Sequence, residues 1–280
     1  SQITKTYGTD VSFSLAGLVA GISSSSGAYT FSSSNGEISI SGDVVTILAY
    51  TPSAVSITAS QDASGNYAAS STTLSLLVNR GPATYQSVAQ ITKTYGTDVS
   101  FSLTSLVAGI SSSSGAYTFS SGSSAISISG SVVTILAYTP SAISITASQD
   151  ASGNYAASST TLSLLVNRKV PSYGAFSVPA KTYGDASFSI APYAPTSENT
   201  STPYTYTSST PSVATINSDG TIVTVIGQGY TTITASQDAS GNYSAGSTTT
   251  SFLVNRAAPT FLKAFTIPDK TFGDASFSLL

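Results

Sequence analysis

Short runs in which apolar and polar residues alternate recur along the whole chain. An alternation with a period of two is typical of a β-strand that buries one of its faces. In the first 80 residues such strands are predicted at 11–15, 29–31, 38–40, 46–48, 55–59 and 74–78. Ser, Thr, Val, Ile, Tyr and Phe dominate these runs, and strong helix formers are few. The pattern therefore predicts an all-β fold made of short strands packed as a two-layered sandwich.

Turn-forming residues separate the predicted strands. They lie at Gly8, 25–27, 35–36, 42–43, Pro52 and 63–66. Gly and Asn supply the backbone conformations that tight turns need, and Pro cannot continue a hydrogen-bonded ladder. A helix over residues 15–22 is disfavoured, because Gly17 and Gly21 interrupt it.

The pattern repeats with a step of 88 residues. Tyr7, Tyr95 and Tyr183 all lie in the sequence Lys-Thr-Tyr-Gly, and a second shared block, Gln-Asp-Ala-Ser-Gly-Asn-Tyr, begins at residues 61, 149 and 237. Residues 2–80 and 90–168 differ at only eight positions. A repeat of this length can bury its own core, so we expect a string of small domains and not one large enzyme.

Domain boundaries are predicted from the same repeat. We expect immunoglobulin-like domains at 1–88, 89–176 and 177–264, and the start of an incomplete fourth at 265–280. A Pro follows the last strand of each repeat, at Pro82, Pro171 and Pro259. Pro stiffens short linkers, so a semi-rigid rod is expected. The final strand, predicted at 275–279, should need a pairing partner outside the three complete repeats.

The amino-acid composition limits the kinds of chemistry and binding that the chain could perform. The chain has 280 residues, 8% of them charged, with a net charge of −3 and no Cys, His, Met or Trp. Nine basic residues give no footprint for nucleic acid, and no apolar stretch is long enough to span a membrane. Without His and Cys, the usual zinc and copper ligands and the commonest general base are missing. We therefore predict no enzymatic activity, no catalytic residues, no metal and no cofactor.

The third repeat resembles a known family. It contains Ser208-Ser-Thr-Pro-Ser-Val-Ala214, then Gly220-Thr-Ile-Val, then Gly229-Tyr-Thr-Thr-Ile-Thr-Ala235. This order is similar to that of bacterial immunoglobulin-like repeats, which occur in large surface and adhesin-like proteins and in phage or virus structural proteins. Repeats 1 and 2 lack the Pro-x-Val-Ala and Gly-Gln-Gly segments. The resemblance implies tandem immunoglobulin-like β-sandwiches and a surface context, but no particular ligand.

The repeated Gln-Asp-Ala-Ser-Gly-Asn-Tyr block supplies the candidate contact loops. Their side chains are Asp62, Asn66, Tyr67, Asp150, Asn154, Tyr155, Asp238, Asn242 and Tyr243. Such a loop could offer oxygen ligands to Ca²⁺, but it holds one carboxylate. A tight turn with the Tyr packed over the end of the sandwich is the simpler interpretation.

Three further kinds of chemistry are compatible with recurring residues of the sequence. Lys5, Lys93, Lys181 and Lys270 precede the first predicted strand, and Asn79, Asn167 and Asn255 end the last one. Some surface domains join such a pair by an isopeptide bond beside a buried acid, here Asp10 or Asp62; an exposed Lys is the simpler interpretation. Asn199 and Asn242 begin N-glycosylation patterns. The 16 tyrosines could stack on sugars, although core packing explains their spacing first.

These observations favour a structural role. We predict a spacer or stalk segment of a long extracellular or cell-surface fibre that presents a distal binding region. The first alternative is a cell-adhesion module that binds a glycan or protein multivalently through its repeated loops. The second is a virus capsid-associated structural protein on the virion. The expected partners are other copies or neighbouring repeats of the same fibre.

Overall fold

In the computed structural model the chain is almost entirely β-strand, and the structure describes residues 2–278. It divides into two compact units, Ser1–Lys169 and Val170–Leu280. Unit 1 holds the first two repeats and unit 2 holds the third. No helix among the described residues is long and apolar enough to cross a membrane.

Repeat 1 is built from seven strands and one short helix. They are β1 (Gln2–Thr6), β2 (Ser12–Ser14), α1 (Ala16–Val19), β3 (Tyr29–Ser32), β4 (Ile38–Ser41), β5 (Val44–Ile47), β6 (Val55–Gln61) and β7 (Ser70–Asn79). One sheet has the order β1-β7-β6-β3 and the other has the order β2-β5-β4. Apolar residues of both sheets, among them Val45, Ile57, Leu76 and Val78, are fully buried between them.

Repeat 2 has the same elements in the same order. They are β8 (Ile91–Thr94), β9 (Ser100–Ser102), α2 (Thr104–Val107), β10 (Tyr117–Ser120), β11 (Ile126–Ser129), β12 (Val132–Ile135), β13 (Ile143–Gln149) and β14 (Ser158–Asn167). Its sheets are β10-β13-β14-β8 and β11-β12-β9. A separate cluster of buried apolar residues fills the space between them.

Unit 2 repeats this architecture in the third repeat. Its elements are β15 (Lys181–Thr182), β16 (Phe188–Ser189), a 3-10 helix (Ala191–Tyr193), β17 (Thr205–Ser208), β18 (Ala214–Ile216), β19 (Ile222–Val225), β20 (Gly229–Gln237) and β21 (Gly246–Asn255). The sheets are β15-β21-β20-β17 and β16-β19-β18. Its own core includes the fully buried Phe252. The predicted fold class, tandem immunoglobulin-like β-sandwiches, is confirmed.

The first strand of each repeat was not predicted. Gln2–Thr6 pairs in parallel with the last strand, with Lys5 opposite Val78. Lys5, Lys93 and Lys181 therefore lie within a strand and not before the first one, whereas Lys270 lies in no strand. The residues from Gln2 to Thr6 contain one strongly apolar side chain, so their alternation is too weak to indicate a strand.

A short helix forms where Gly residues were expected to prevent one. Ala16–Val19 makes a single helical turn that places the buried Val19 in the core. The turn ends before Gly21, whose φ of +77° suits a residue without a side chain. The glycines therefore limit the helix to one turn but do not abolish it.

The segment predicted to be a linker between the first two repeats packs on the second. The amide of Gln86 donates to the carbonyl of Ile110 at 2.7 Å, and that of Ser112 donates to the carbonyl of Thr84 at 3.0 Å. Val88 contacts the core of repeat 2. These contacts show that part of the stretch before residue 88 belongs with the repeat that follows. The boundaries predicted at 88 and 176 stay predictions, and the contacts favour placing the first one closer to Arg80.

The last described residues form no strand. Residues 275–278 belong to no strand, and Leu279 lies outside the described residues. The Phe277 ring is 48% exposed, with the Lys270 ammonium 5.0 Å from its centroid. The predicted strand is therefore absent from 275–278, and its expected pairing partner stays a prediction.

Candidate functional site

All three candidate loops close into the same tight hairpin. In the first, the amide of Ser64 donates to the carbonyl of Tyr67 at 3.0 Å, and the amide of Tyr67 donates back at 3.1 Å. The pairs 152–155 and 240–243 bridge in the same way. Gly65 has a φ of +59°, as the first central residue of a type II′ turn requires. The sequence of the block therefore determines the turn locally.

The Gln that opens each block holds the loop to its own repeat. The Nε2 of Gln61 donates to the carbonyl of Gly27, and the side chain is 4% exposed. In unit 2, the Nε2 of Gln237 donates to the carbonyl of Asn199 at 2.9 Å and to that of Thr202 at 2.6 Å. The persistence of this Gln follows from its buried structural bonds.

The loop of repeat 1 is open to solvent. Asp62, Asn66 and Tyr67 are exposed, and Tyr67 exposes 51% of its surface. Among residues 2–278, no hydrogen bond or ion pair reaches the side chain of Asp62 or Asn66. These two side chains are thus available to an outside partner.

The identical loop of repeat 2 is docked on repeat 1. The Oδ1 of Asn154 accepts a hydrogen bond from the amide of Tyr50 at 3.0 Å. The carbonyl of Asn154 accepts another from the amide of Gly81 at 2.9 Å, and the amide of Ala156 donates to the carbonyl of Gly81 at 2.9 Å. Asn154 and Tyr155 are correspondingly half-buried. The loop therefore joins the two repeats of unit 1.

An arginine of repeat 1 completes this junction. The Nε of Arg80 donates to the carbonyl of Gly153 at 3.1 Å. Its guanidinium carbon lies 4.3 Å from the centroid of the Tyr50 ring, and its Nη2 donates to the Tyr50 hydroxyl at 3.0 Å. Stacking on the Tyr50 ring and the hydrogen bond to its hydroxyl hold the guanidinium in the orientation in which it contacts the loop.

Tyr7 and Gly81 shape the surface that receives the loop. The rings of Tyr7 and Tyr155 meet edge to face, with centroids 6.0 Å apart and an interplanar angle of 90°. A Cβ on Gly81 would lie 2.1 Å from the carbonyl oxygen of Tyr7, far inside van der Waals contact. Only Gly fits this backbone arrangement, in which its amide and carbonyl both face the loop.

Sequence reasoning identified one side of this junction and missed the other. Asn154 and Tyr155 were candidates, whereas Tyr50, Arg80 and Gly81 were not. The missed residues could have been identified because their sequence motifs recur between repeats. A Tyr followed by Thr-Pro appears at residues 50 and 138, and an Asn-Arg pair ends each repeat. In repeat 2 the Nη2 of Arg168 donates to the Tyr138 hydroxyl at 3.0 Å.

In unit 2, the third loop is linked to a buried asparagine. The carbonyl of Asp238 accepts a hydrogen bond from the Nδ2 of Asn199 at 3.0 Å, and that nitrogen also donates to the Thr202 hydroxyl at 3.1 Å. Asn199 is 1% exposed. A glycan on this nitrogen would replace one of its two hydrogens, so it would break at least one of these bonds and need the buried site to open. Asn242 follows the positive-φ Gly241 in the third turn, and its glycosylation stays a prediction.

The structure does not bring together, as a buried pair, the lysine and asparagine that an isopeptide bond would join. The Nζ of Lys5 lies 3.3 Å from the Oδ1 of Asp10 and 5.1 Å from the centroid of the Phe13 ring. A hydrogen bond from the Thr6 amide lowers the pKa of Asp10, and the lysine partner lowers it further, so the carboxyl is ionised. Asn79 is exposed at the end of β7. The lysine is a strand residue that pairs with an acid.

The tyrosines pack mainly within the sheets. Tyr29 stacks on Phe31 with centroids 6.1 Å apart, and Tyr117 stacks on Phe119 at 5.9 Å. Burial raises the pKa of Tyr204, as expected for a phenol shielded from water. These rings cover the core, whereas Tyr67, Tyr183 and Tyr230 are exposed by 51%, 54% and 67%. The described residues also contain no cluster of three acidic side chains able to hold a metal ion.

No protein-family model matches the chain, and no curated protein matches it. Among solved structures it is similar to Drosophila N-cadherin EC1-4, with 14% identity over 84% of this chain and 67% of that one, at a TM-score of 0.32. It is similar to mouse protocadherin-24 EC1-3, with 14% identity over 91% and 96% of the two chains, at 0.30. The N-terminal eight Ig domains of Down Syndrome Cell Adhesion Molecule match with 12% identity over 82% and 33%, at 0.35. These values establish no family, so the resemblance to bacterial repeats stays a prediction.

Proposed function

We propose that the chain is a spacer segment of a long extracellular or surface fibre, in which successive repeats are held by built junctions. One observation carries this proposal. The repeated loop that the sequence offers as a ligand-binding candidate binds repeat 1 in the copy that belongs to repeat 2. A spacer on a cell and a spacer on a virion would use the same junction.

The junction is specific enough to restrict hinge motion. Four hydrogen bonds cross it, from Tyr50, Arg80, Gly81 and Ala156. A typical net contribution is about 1 kcal/mol for each bond, and the edge-to-face ring pair adds about 0.5–1.5 kcal/mol. A few kcal/mol in total keeps the closed arrangement dominant, whereas small interfaces between domains usually permit relative motion.

The alternative of a multivalent adhesion module requires the same loop to be free in each repeat. In unit 1 the copy in repeat 1 is exposed and the copy in repeat 2 is engaged. Binding through every copy would therefore compete with the junction.

The absence of Cys makes the junction directly testable by spin labelling. Ser39 and Ser127 are exposed and occupy equivalent strand positions in repeats 1 and 2, so Ser39→Cys with Ser127→Cys places one label on each. Pulsed dipolar spectroscopy on the full chain is expected to give one narrow distance distribution. Adding Arg80→Ala and Asn154→Ala should broaden it. A broad distribution before these changes, or no broadening after them, would refute the proposal.

A further inference from the structure

The buried glutamine of each repeat has one end of its amide bonded and the other end without a partner. The Nε2 of Gln149 donates to the carbonyl of Gly115, and the equivalent Gln61 and Gln237 are bonded through the same atom. A carbonyl oxygen only accepts, so this bond keeps the nitrogen on that side and fixes the Oε1 on the other. Among residues 2–278 no donor reaches any of the three Oε1 atoms, although the side chains are only 3–5% exposed.

A tyrosine whose hydroxyl is also buried lies opposite each glutamine on the neighbouring strand. Tyr117 pairs with Gln149 in the register of β10 and β13, and Tyr29 and Tyr204 hold the same position in repeats 1 and 3. Their three hydroxyl oxygens form no hydrogen bond within the described part of the chain. Burial raises the pKa of Tyr117 and of Tyr204, so these phenols stay protonated and keep a hydrogen to donate.

A serine hydroxyl is the third member of the group. The Ser111 hydroxyl lies near enough to that of Tyr117 to lower its pKa, against the larger effect of burial, but outside hydrogen-bonding geometry. Its Oγ accepts a hydrogen bond from the amide of Ser113 at 3.0 Å, which leaves its own hydrogen available to a further acceptor. Ser23 and Ser197 accept from the amide two residues later in the same way, also at 3.0 Å.

These side chains meet at one cavity in repeat 2. The cavity has a volume of about 240 Å³, and Ser111, Tyr117 and Gln149 all line it. The three equivalent side chains also line a single cavity in repeat 1. A buried water needs only about 10–15 Å³ of such space and makes two to four hydrogen bonds. The cavity therefore offers both the room and the polar partners for a water molecule.

The group persists where the surrounding sequence changes. Repeat 3 diverges in this region, and its serine and tyrosine are seven residues apart, whereas they are six apart in repeats 1 and 2. The Ser, Tyr and Gln nevertheless recur, with the same bonds to the backbone. A buried oxygen without a partner destabilises a fold, because it has lost its hydrogen bonds to water. The recurrence of such oxygens in all three repeats therefore indicates a shared partner.

We propose that each repeat binds a buried water molecule that bridges these three side chains. In repeat 2 the water donates to the Oε1 of Gln149 and accepts from the hydroxyls of Tyr117 and Ser111. The corresponding groups are Ser23, Tyr29 and Gln61 in repeat 1 and Ser197, Tyr204 and Gln237 in repeat 3.

The chemistry of the group favours water over an ion. None of its three members is charged, and a buried cation would need charged ligands or more oxygen atoms around it. The bridge joins the segment after α2, through Ser111, to β10 and β13. It therefore fastens the end of the sandwich next to the repeated hairpin, which begins directly after Gln149.

Replacing the tyrosine by phenylalanine distinguishes a bridged hydroxyl from one without a partner. Tyr117→Phe removes a single oxygen and keeps the ring. With a water bound, the variant leaves that water one partner short, so the core amides of β13 should exchange hydrogen at least about fivefold faster in the full chain. If the hydroxyl has no partner, its removal relieves a buried polar group instead. Slower or unchanged exchange in Tyr117→Phe would overturn the proposal.

A matched pair of variants in repeat 1 controls for the loss of a tyrosine hydroxyl. Tyr29→Phe should accelerate exchange of the core amides of β6 by a similar factor. Tyr67→Phe makes the same chemical change at a side chain that is 51% exposed, and it should leave those amides unaffected. Equal effects of the two variants would contradict a role for the buried site.

Two further measurements identify the occupant directly. A crystal structure of the full chain should show a water oxygen about 2.5–3.0 Å from both the Tyr117 hydroxyl and the Gln149 Oε1. Melting temperatures in sodium, potassium and ammonium chloride at equal ionic strength should coincide. An empty map at this position would refute the bridge, and a saturable rise in melting temperature with one of these cations would identify an ion in place of water.

Discussion

The two identical asparagines offer a controlled test of the junction. Asn154→Ala removes the oxygen that lies 3.0 Å from the Tyr50 amide, while Asn66→Ala makes the same chemical change in a loop open to solvent. Tyr50 is half-buried, so its amide would lose its partner in a partly shielded place. Such a loss costs about 1–2 kcal/mol, which corresponds to a factor of about 5–30 in the opening equilibrium.

Hydrogen exchange at the Gly81 amide measures that opening. This amide donates to the main-chain carbonyl of Asn154, which the substitution leaves chemically intact. Its exchange therefore accelerates only if the junction opens more often. We expect exchange about 5–30 times faster in Asn154→Ala and unchanged in Asn66→Ala. Asn154→Asp, which keeps an acceptor oxygen, should lie closer to the original protein.

Two results would refute this reasoning. Gly81 exchange that is unaffected by Asn154→Ala would mean that the side-chain bond does not stabilise the junction. Equal acceleration by Asn66→Ala would mean that the effect arises inside the loop and not between the repeats.

Four further outcomes are expected. Gly81→Ala should lower the melting temperature and broaden the spin-label distances, since its Cβ would lie 2.1 Å from the Tyr7 carbonyl, whereas Gly36→Ala, with nothing within 4 Å, should be neutral. The folded pKa of Asp10 is lowered, so its stabilisation is present above the unfolded pKa and is lost as pH falls through the folded value; melting curves below about pH 4 should show the loss, and Asp10→Asn should flatten it. Asn199→Ala should lower the free energy of unfolding, measured with denaturant, by about 1–3 kcal/mol, because it removes a buried side chain that donates two hydrogen bonds. An unchanged free energy of unfolding would contradict this. Ca²⁺ should leave the melting temperature unchanged, because no acidic cluster forms among the described residues, and a saturable rise would show a site.

Much of the fold could be predicted because it is encoded locally. Alternation with a period of two identified six of the seven strands of repeat 1, since each side chain on a strand faces either the core or solvent. The Gly-Asn pair likewise predicted a tight turn, and the positive φ of Gly65 is the reason. The step of 88 residues then extended each local prediction to the other repeats.

Features that depend on a distant partner could not be predicted in this way. The strand Gln2–Thr6 forms because β7 offers it a parallel edge, and its own residues carry too little alternation to indicate it. A linker was predicted around Gln86 because Pro82 follows the last strand of repeat 1 and cannot continue its ladder. It is ordered by bonds to Ile110 and Ser112, which are supplied by the next sandwich.

The sequence by itself determined six of the seven strands of repeat 1, the tight turns and the step of 88 residues, because these follow from side-chain alternation, from the backbone preferences of Gly and Pro and from recurring motifs. Only the tertiary structure decided what the repeated loop does. Asn66 and Asn154 have the same neighbours along the chain and the same turn, yet one is exposed and the other bonds to Tyr50. The burial of a residue depends on which distant part of the molecule packs against it. Identical local sequences therefore cannot predict that one loop is exposed and the other is half-buried.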